Sequence, residues 1–212
     1  MQQERYWSRF AADYDERANY AVGEQNIELI RKEISQLSDL GHTLELGCGQ
    51  GLFSEVLRHK ADRLIATDLS PEMVAAADKR FSACSNVTVE PADCLHLTYP
   101  EAFFDTVFIG NLLHVIPTPE KAMVEVRRVI KPDGRLIVIS YTMEGMSLLQ
   151  QVGLIYRYFR TFGKPSPTAA RLTVKKASDM IGKAHFSIED ARLIGRTANA
   201  VFIIARAEYI FG

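Results

Sequence analysis

Cysteine is scarce in this 212-residue chain, and neither sign of charge prevails. Cys48, Cys84 and Cys94 are odd in number and lack C-x-x-C spacing, which argues against a disulfide framework or a zinc site and suits a reducing compartment. With 25 basic against 26 acidic side chains the net charge is −1, so the broad electrostatic footprint of a nucleic-acid partner is missing. No uncharged apolar run approaches membrane-spanning length, and the opening MQQERYWSRF has no signal-peptide core; the chain therefore reads as cytoplasmic, without integral membrane association. Repeats and low-complexity linkers are also missing. His42, His59 and His96 follow no ligand pattern, so no metal is expected.

What is present is organised around Leu44 to Phe53. This stretch begins as a strand, passes through Gly47, Gly49 and Gly51, and continues at helical spacing through Leu52, Phe53, Val56 and Leu57. Glycines at alternate positions mark either a tight turn or a loop lying directly against a ligand. Upstream, Tyr6, Phe10 and Tyr14 recur every fourth residue and predict a helix over 2–14, which either packs on the core or caps a ligand site. A second helix is predicted from Glu24 to about Leu40, stopping at Gly41.

Downstream, Arg63–Thr67 reads as a strand that delivers Asp68 to its carboxyl end, and Ser70-Pro71 supplies an N-cap and first helical position. Asp68 stands 17 residues beyond Gly51, close to where nucleotide-type folds place a carboxylate for ribose hydroxyls. A third strand starts at Val87 and exits at Asp93; a fourth starts at Phe104 and exits at Asn111. A helix is expected from Pro119 to about Ile130, ended by Lys131-Pro-Asp-Gly134, with a fifth strand over Arg135–Tyr141. Five strand–helix alternations imply a parallel sheet with helices on both faces, whose ligands bind beyond the carboxyl ends of the strands. The stretches 187–194 and 200–208 read as a closing hairpin.

The combination LELGCGQG (44–51), ATDLSPEMV (66–74), PADCLHL (91–97) and FDTVFIGNLLHVIPTPEKAMVEVRRVIKPDGRLIVISY (104–141), opened by FAADYDER (10–17), resembles the class I S-adenosylmethionine-dependent methyltransferases. The resemblance is to the small group that includes ubiquinone and menaquinone C-methyltransferases. It implies a Rossmann-like αβα sandwich, a single domain over 1–212, and a seven-stranded mostly parallel sheet of order 3-2-1-4-5-7-6 with strand 7 antiparallel. It also implies S-adenosylmethionine as cofactor and S-adenosylhomocysteine as product. A dinucleotide fold would carry G-x-G-x-x-G for a pyrophosphate, whereas this chain has E-x-G-x-G-x-G.

By that resemblance Glu45 supports the methionine ammonium, while Gly47, Cys48, Gly49 and Gly51 form the loop under the cofactor. Asp68 holds the ribose hydroxyls, and Leu69 and Met73 flank the adenine. Asp93 and the Cys94 amide face its edge; Asn111 and Leu112 lie beside the methionine moiety, and Tyr14 caps it. For proton transfer His114 and Tyr14 are the candidates, His114 reading equally as a hydrogen-bonded structural residue. The capping helices occupy about 1–40, and a substrate or lid insert about 142–186.

The expected reaction is in-line methyl transfer to a small apolar or aromatic acceptor. Two alternatives stand beside it: a non-catalytic adenosylmethionine-binding protein, and a methyltransferase acting on a lipid headgroup. The arginine-bearing apolar helix over 146–162 suits packing on the sheet edge, a dimer contact or peripheral contact with a membrane surface.

Overall fold

The protein, described by a computed structural model over residues 6–166 and 168–209, is built on one seven-stranded sheet. The strands are β1 (His42–Leu46), β2 (Arg63–Asp68), β3 (Val87–Pro91), β4 (Phe104–Gly110), β5 (Ile130–Thr142), β6 (Phe186–Gly195) and β7 (Asn199–Ala207), in the spatial order 3-2-1-4-5-7-6. All neighbours pair in parallel except β7, which runs antiparallel to both β5 and β6. This is the expected sheet.

The central strands are covered on both faces; β4 and β5 accordingly carry continuous apolar runs, over 107–109 and 136–139, whereas β1 alternates in sequence and buries Thr43 and Glu45 along with its leucines. Along β4 and β5, successive side chains feed two separate cores. Val107, Ile109, Leu136 and Val138 point to one, completed by α5 (Pro119–Val129) and α7 (Val174–Lys183). Phe108, Ile137 and Ile139 point to the other, completed by α1 (Tyr14–Val22), α2 (Glu24–Ser35), α4 (Pro71–Phe81) and the inner face of α6 (Leu148–Phe162). A four-residue helix, α3 (Ser54–Leu57), follows the glycine loop.

Capping chemistry starts the helices where the sequence places it. Ser70 Oγ accepts from Met73 N–H with Pro71 at the first turn, Thr173 Oγ1 accepts from Lys176 N–H, and Ser147 and Gln150 form a reciprocal capping box.

Three expectations need correction. The helix predicted over 2–14 is not continuous: 6–8 are helical, 9–13 form turns, and Tyr14 opens α1. Gln2–Arg5 lie outside the described residues. The break follows from tertiary contacts, since Phe10 packs edge-on against Phe162 at 5.1 Å and Gln50 grips the backbone on both sides of the turn. Helix α2 ends at Ser35, not near Leu40, which is buried in the link to β1. Lys131–Gly134 is an excursion within β5. Ile130 already pairs with Phe104 before the register resumes at Thr106 and Arg135.

Candidate functional site

A cavity of about 450 Å³ opens beyond the carboxyl ends of β1, β2 and β4, where β1 and β4 send their crossovers in opposite directions. Its floor is the glycine loop. The N–H groups of Gly47 and Cys48 both donate to the Thr67 carbonyl at 2.8 and 2.9 Å, folding the loop around the end of β2. Gly47 and Gly49 have φ of +73° and +56°, a backbone region costly for residues with a Cβ. Both line the cavity with Cys48 between them.

Asp68 stands at the cavity wall with both carboxylate oxygens held by backbone donors. Oδ2 accepts from Gly49 N–H at 3.0 Å and Oδ1 from Ser70 N–H at 2.9 Å. Burial raises its pKa, and these backbone donors oppose the rise. A carboxylate oxygen can accept more than one hydrogen bond, so each retains capacity for a ligand hydroxyl. Leu69, Met73, Asp93, Cys94, Asn111, Leu112 and Tyr14 also line this cavity. The Asp93 carboxylate already caps the turn below it through Leu95 N–H at 2.9 Å and meets His96 Nδ1 at 3.2 Å. Asn111 adopts φ of +55°, and its Oδ1 accepts from Tyr141 N–H at 3.0 Å, tying the ends of β4 and β5 together.

Two members of the expected set lie behind the wall. Glu45, 1 % exposed, sits beneath the loop, where Ser54 Oγ donates to its Oε2 at 2.5 Å and burial pushes its carboxyl up to about 7. Gly51, at φ +91°, packs against α4; a Cβ there would lie 2.3 Å from Phe81 Cε2. Its lack of a side chain serves helix packing rather than direct access to a ligand.

The two proton-transfer candidates separate. Tyr14 faces the cavity, but burial, with Asp15 and Asp68 nearby, raises its phenol pKa. His114 lines a different cleft, between α5 and α7. Its Nδ1 is hydrogen-bonded with Ser140 Oγ at 2.8 Å, and desolvation lowers its pKa to about 4. Burial raises the Cys48 thiol well above its ordinary value, which opposes formation of a thiolate. Cys94 is pushed up to about 12 by the same cause. No cluster of three potential metal-ligating side chains exists among the described residues.

Gln50, which no local pattern marks, holds the N-terminal segment over the loop. Its Nε2 donates to the Ala11 carbonyl at 2.7 Å and its Oε1 accepts from Asp15 N–H at 2.9 Å. Trp7 thereby reaches the cavity wall beside Tyr14, ring centroids 6.0 Å apart. Of the 142–186 segment, Thr168 is the described residue on this wall; its hydroxyl donates to the Val115 carbonyl. No spacing or motif marks Thr168 in advance, because its role depends on where the chain after α6 returns.

A family profile described as a methyltransferase domain matches residues 44–138. The malonyl-[acyl-carrier protein] O-methyltransferase of Herminiimonas arsenicoxydans is 31 % identical over 196 residues, covering 91 % of this chain and 70 % of that protein. The demethylmenaquinone methyltransferase of Lactobacillus johnsonii is 28 % identical over 143 residues, 63 % of this chain and 58 % of that one. The chain spans about half the length of the demethylmenaquinone methyltransferases it matches. Among solved structures, a SAM-dependent methyltransferase from Thermotoga maritima, described as a possible histamine N-methyltransferase, shares the fold. Its TM-score is 0.74 over 97 % of this chain and 100 % of that one, at 21 % identity.

Proposed function

The chain belongs to the class I S-adenosylmethionine-dependent methyltransferases, and on that premise we propose that it transfers a methyl group to a small apolar or aromatic acceptor. The observation that carries the cofactor assignment is the charge of the cavity. Asp68 and Asp93 line it, and no lysine, arginine or histidine does so among the described residues. A pyrophosphate would be repelled by these carboxylates with no cation to offset them, whereas a ligand with a sulfonium and an ammonium suits acidic walls. S-Adenosylmethionine, when bound, supplies a methyl group on a positively charged sulfur that is already activated for departure.

The residues present fit such a ligand. Asp68 offers two oxygens, held in place by backbone donors, to a pair of neighbouring ribose hydroxyls. Gly47 and Gly49 let the chain pass close beneath the methionine portion, and Glu45 lies behind the loop, where a bound ammonium would favour its ionised form. Leu69 and Met73 flank the base, with Asp93 and the Cys94 amide at its edge, while Asn111, Leu112 and Tyr14 border the methionine end.

The work left to the protein is alignment and exclusion of water. Alignment can contribute about 7–11 kcal/mol in well-oriented systems. Trp7, Phe53, Val115 and Ile116 make the wall largely apolar, which supports an apolar or aromatic acceptor. Tyr14, with its raised pKa, keeps its proton at neutral pH and serves as a donor that orients the acceptor. His114, facing another cleft and neutral at pH 7, takes no part in our reading. The free Cys48, Cys84 and Cys94 support a reducing, cytoplasmic setting.

Calorimetry against S-adenosylmethionine, S-adenosylhomocysteine and NAD tests the cofactor. Micromolar NAD binding with no response to the other two would overturn it. Because relatives are named for demethylmenaquinone and for malonyl-[acyl-carrier protein], turnover with a quinol and a malonyl thioester tests the acceptor class. Methylation of the quinol alone is expected, and preference for the thioester refutes the apolar acceptor.

A further inference from the structure

Helix α6 leaves a continuous apolar stripe uncovered. Leu148, Leu149, Val152, Ile155, Tyr156 and Phe159 are exposed by between 42 % at Ile155 and 86 % at Leu149. At about 100° per residue these six fall within an arc of about 120°, along a helix roughly 22 Å long. The opposite face is committed to the protein. Leu154, Tyr158 and Phe162 join the core, Arg157 Nε donates to the Ala21 carbonyl at 2.9 Å, and Phe162 packs on Trp7, Phe10 and Tyr14. The stripe is therefore a surface beyond the sheet-edge packing, and it backs directly onto the aromatic wall of the cavity.

We propose that α6 seats the protein on an anionic lipid bilayer, with this stripe sunk among the acyl chains. Charge selects that occupant. The helix, LLQQVGLIYRYFRTF, contains no acidic residue; Arg160 flanks the stripe beside Tyr156, whose hydroxyl accepts from it at 3.2 Å, and exposed Lys164 follows the helix. Half-exposed Tyr20 of α1 also lies near Arg160. Leucine, valine, isoleucine and aromatic side chains on one face, with cations at its margin, are the composition of a helix lying in a membrane interface. A second copy packed on the same stripe about a two-fold axis would bring another Arg160 and no carboxylate from its own α6 to pair with it. No helix among the described residues is long and apolar enough to cross a membrane, so the contact is peripheral. Bilayer seating is independent of which acceptor is methylated.

Co-sedimentation with vesicles of phosphatidylcholine alone, and of phosphatidylcholine mixed with phosphatidylglycerol, tests this at low and high salt. The full chain is expected to sediment with the anionic vesicles and to release as salt screens the cations. The double substitution Leu149→Glu with Val152→Glu should abolish sedimentation, and Arg160→Gln should weaken it about fivefold. Both variants should keep the native affinity for S-adenosylhomocysteine, which reports that the fold is intact whether or not methyl transfer is the activity. Failure of the native chain to bind either vesicle overturns the proposal, as does equal binding by the double variant. A native dimer that ignores vesicles and dissociates in the double variant on sedimentation velocity also overturns it, and assigns the stripe to a second copy.

Discussion

The substitution Glu45→Gln should stabilise the ligand-free protein above neutral pH while weakening its hold on S-adenosylhomocysteine. The Glu45 carboxyl is 1 % exposed, and burial lifts its pKa from 4.5 to about 7 even though Ser54 donates a hydrogen bond to it. That displacement corresponds to roughly 3 kcal/mol. Below about pH 4.5 the group is protonated in both folded and unfolded chains and costs nothing. As pH rises towards 7 the unfolded chain releases its proton first, so stability falls; above about 7 the full penalty is present.

A glutamine side chain at this position would keep an acceptor for Ser54 and lose the charge. The native chain's own pH profile conceals this, because His114 has the opposite slope. Its pKa falls from 6.5 to about 4, so its stabilising contribution is complete above 6.5 and declines as pH drops towards 4. The difference between variant and native chain isolates Glu45. In urea unfolding at a series of pH values, that difference should be near zero at about pH 4.5 and grow to roughly 3 kcal/mol at about pH 8. Calorimetry at the higher pH should show S-adenosylhomocysteine bound roughly tenfold more weakly, the size of one partly screened charge interaction. A difference that does not change with pH would refute the buried-carboxylate argument, and unchanged ligand affinity would remove Glu45 from the ammonium side.

Asp68→Ala removes two charge-assisted acceptors worth about 1.5–3 kcal/mol each, so cofactor affinity by calorimetry should fall at least about a hundredfold; an unchanged value would take Asp68 out of the site. Gly51→Ala drives a Cβ into Phe81 and should lower stability by about 1–3 kcal/mol in urea unfolding, with partial recovery when Phe81→Leu is added. Gln50→Ala removes both bonds to the N-terminal segment, roughly 1 kcal/mol each, and should speed tryptic cleavage at Arg9 and Arg17; unchanged cleavage would show that the aromatic contacts alone hold the segment. His114→Gln should leave the pH profile of kcat between about pH 5 and 8 unaltered, since the native imidazole is neutral throughout that range. Loss of a titration in the variant would place His114 in the chemistry.

The elements most legible in the sequence are those whose signals are local. Strand β2 ends at Asp68 and α4 starts at Ser70-Pro71 because a side-chain cap and a proline at the first turn act over three residues. The apolar runs 64–66, 107–109 and 136–139 of β2, β4 and β5 read as buried strands because both faces are covered. The glycine loop, Asp68, Asp93 and Asn111 follow from the same logic: each stands where a strand ends, and strand ends in a parallel sheet share one rim.

Local signals in the chain therefore suffice for the first five strands, their covered faces and the rim of the cavity, whereas the full order 3-2-1-4-5-7-6 is implied by the family resemblance and is set by tertiary pairing of β7 between β5 and β6. Which side chains at the rim turn inward depends on contacts between distant segments. Glu45 and Gly51 belong to the loop motif yet lie behind it, because Glu45 is tied to Ser54 beneath the loop and Gly51 is pressed against Phe81 of α4. The left-handed turn at Asn111 leaves Leu112 and Val115 on the cavity wall, while His114 faces Ser140 and the neighbouring cleft. Tyr6, Phe10 and Tyr14 show a helical period that the fold overrides, since Gln50 and Phe162 are distant in sequence and no local pattern encodes contact with them. The exposed stripe of α6 has the same origin: Leu149 and Leu154 are equally apolar, and only the packing of α6 on α1 and the core beneath it leaves the first facing outward and the second packed against that core.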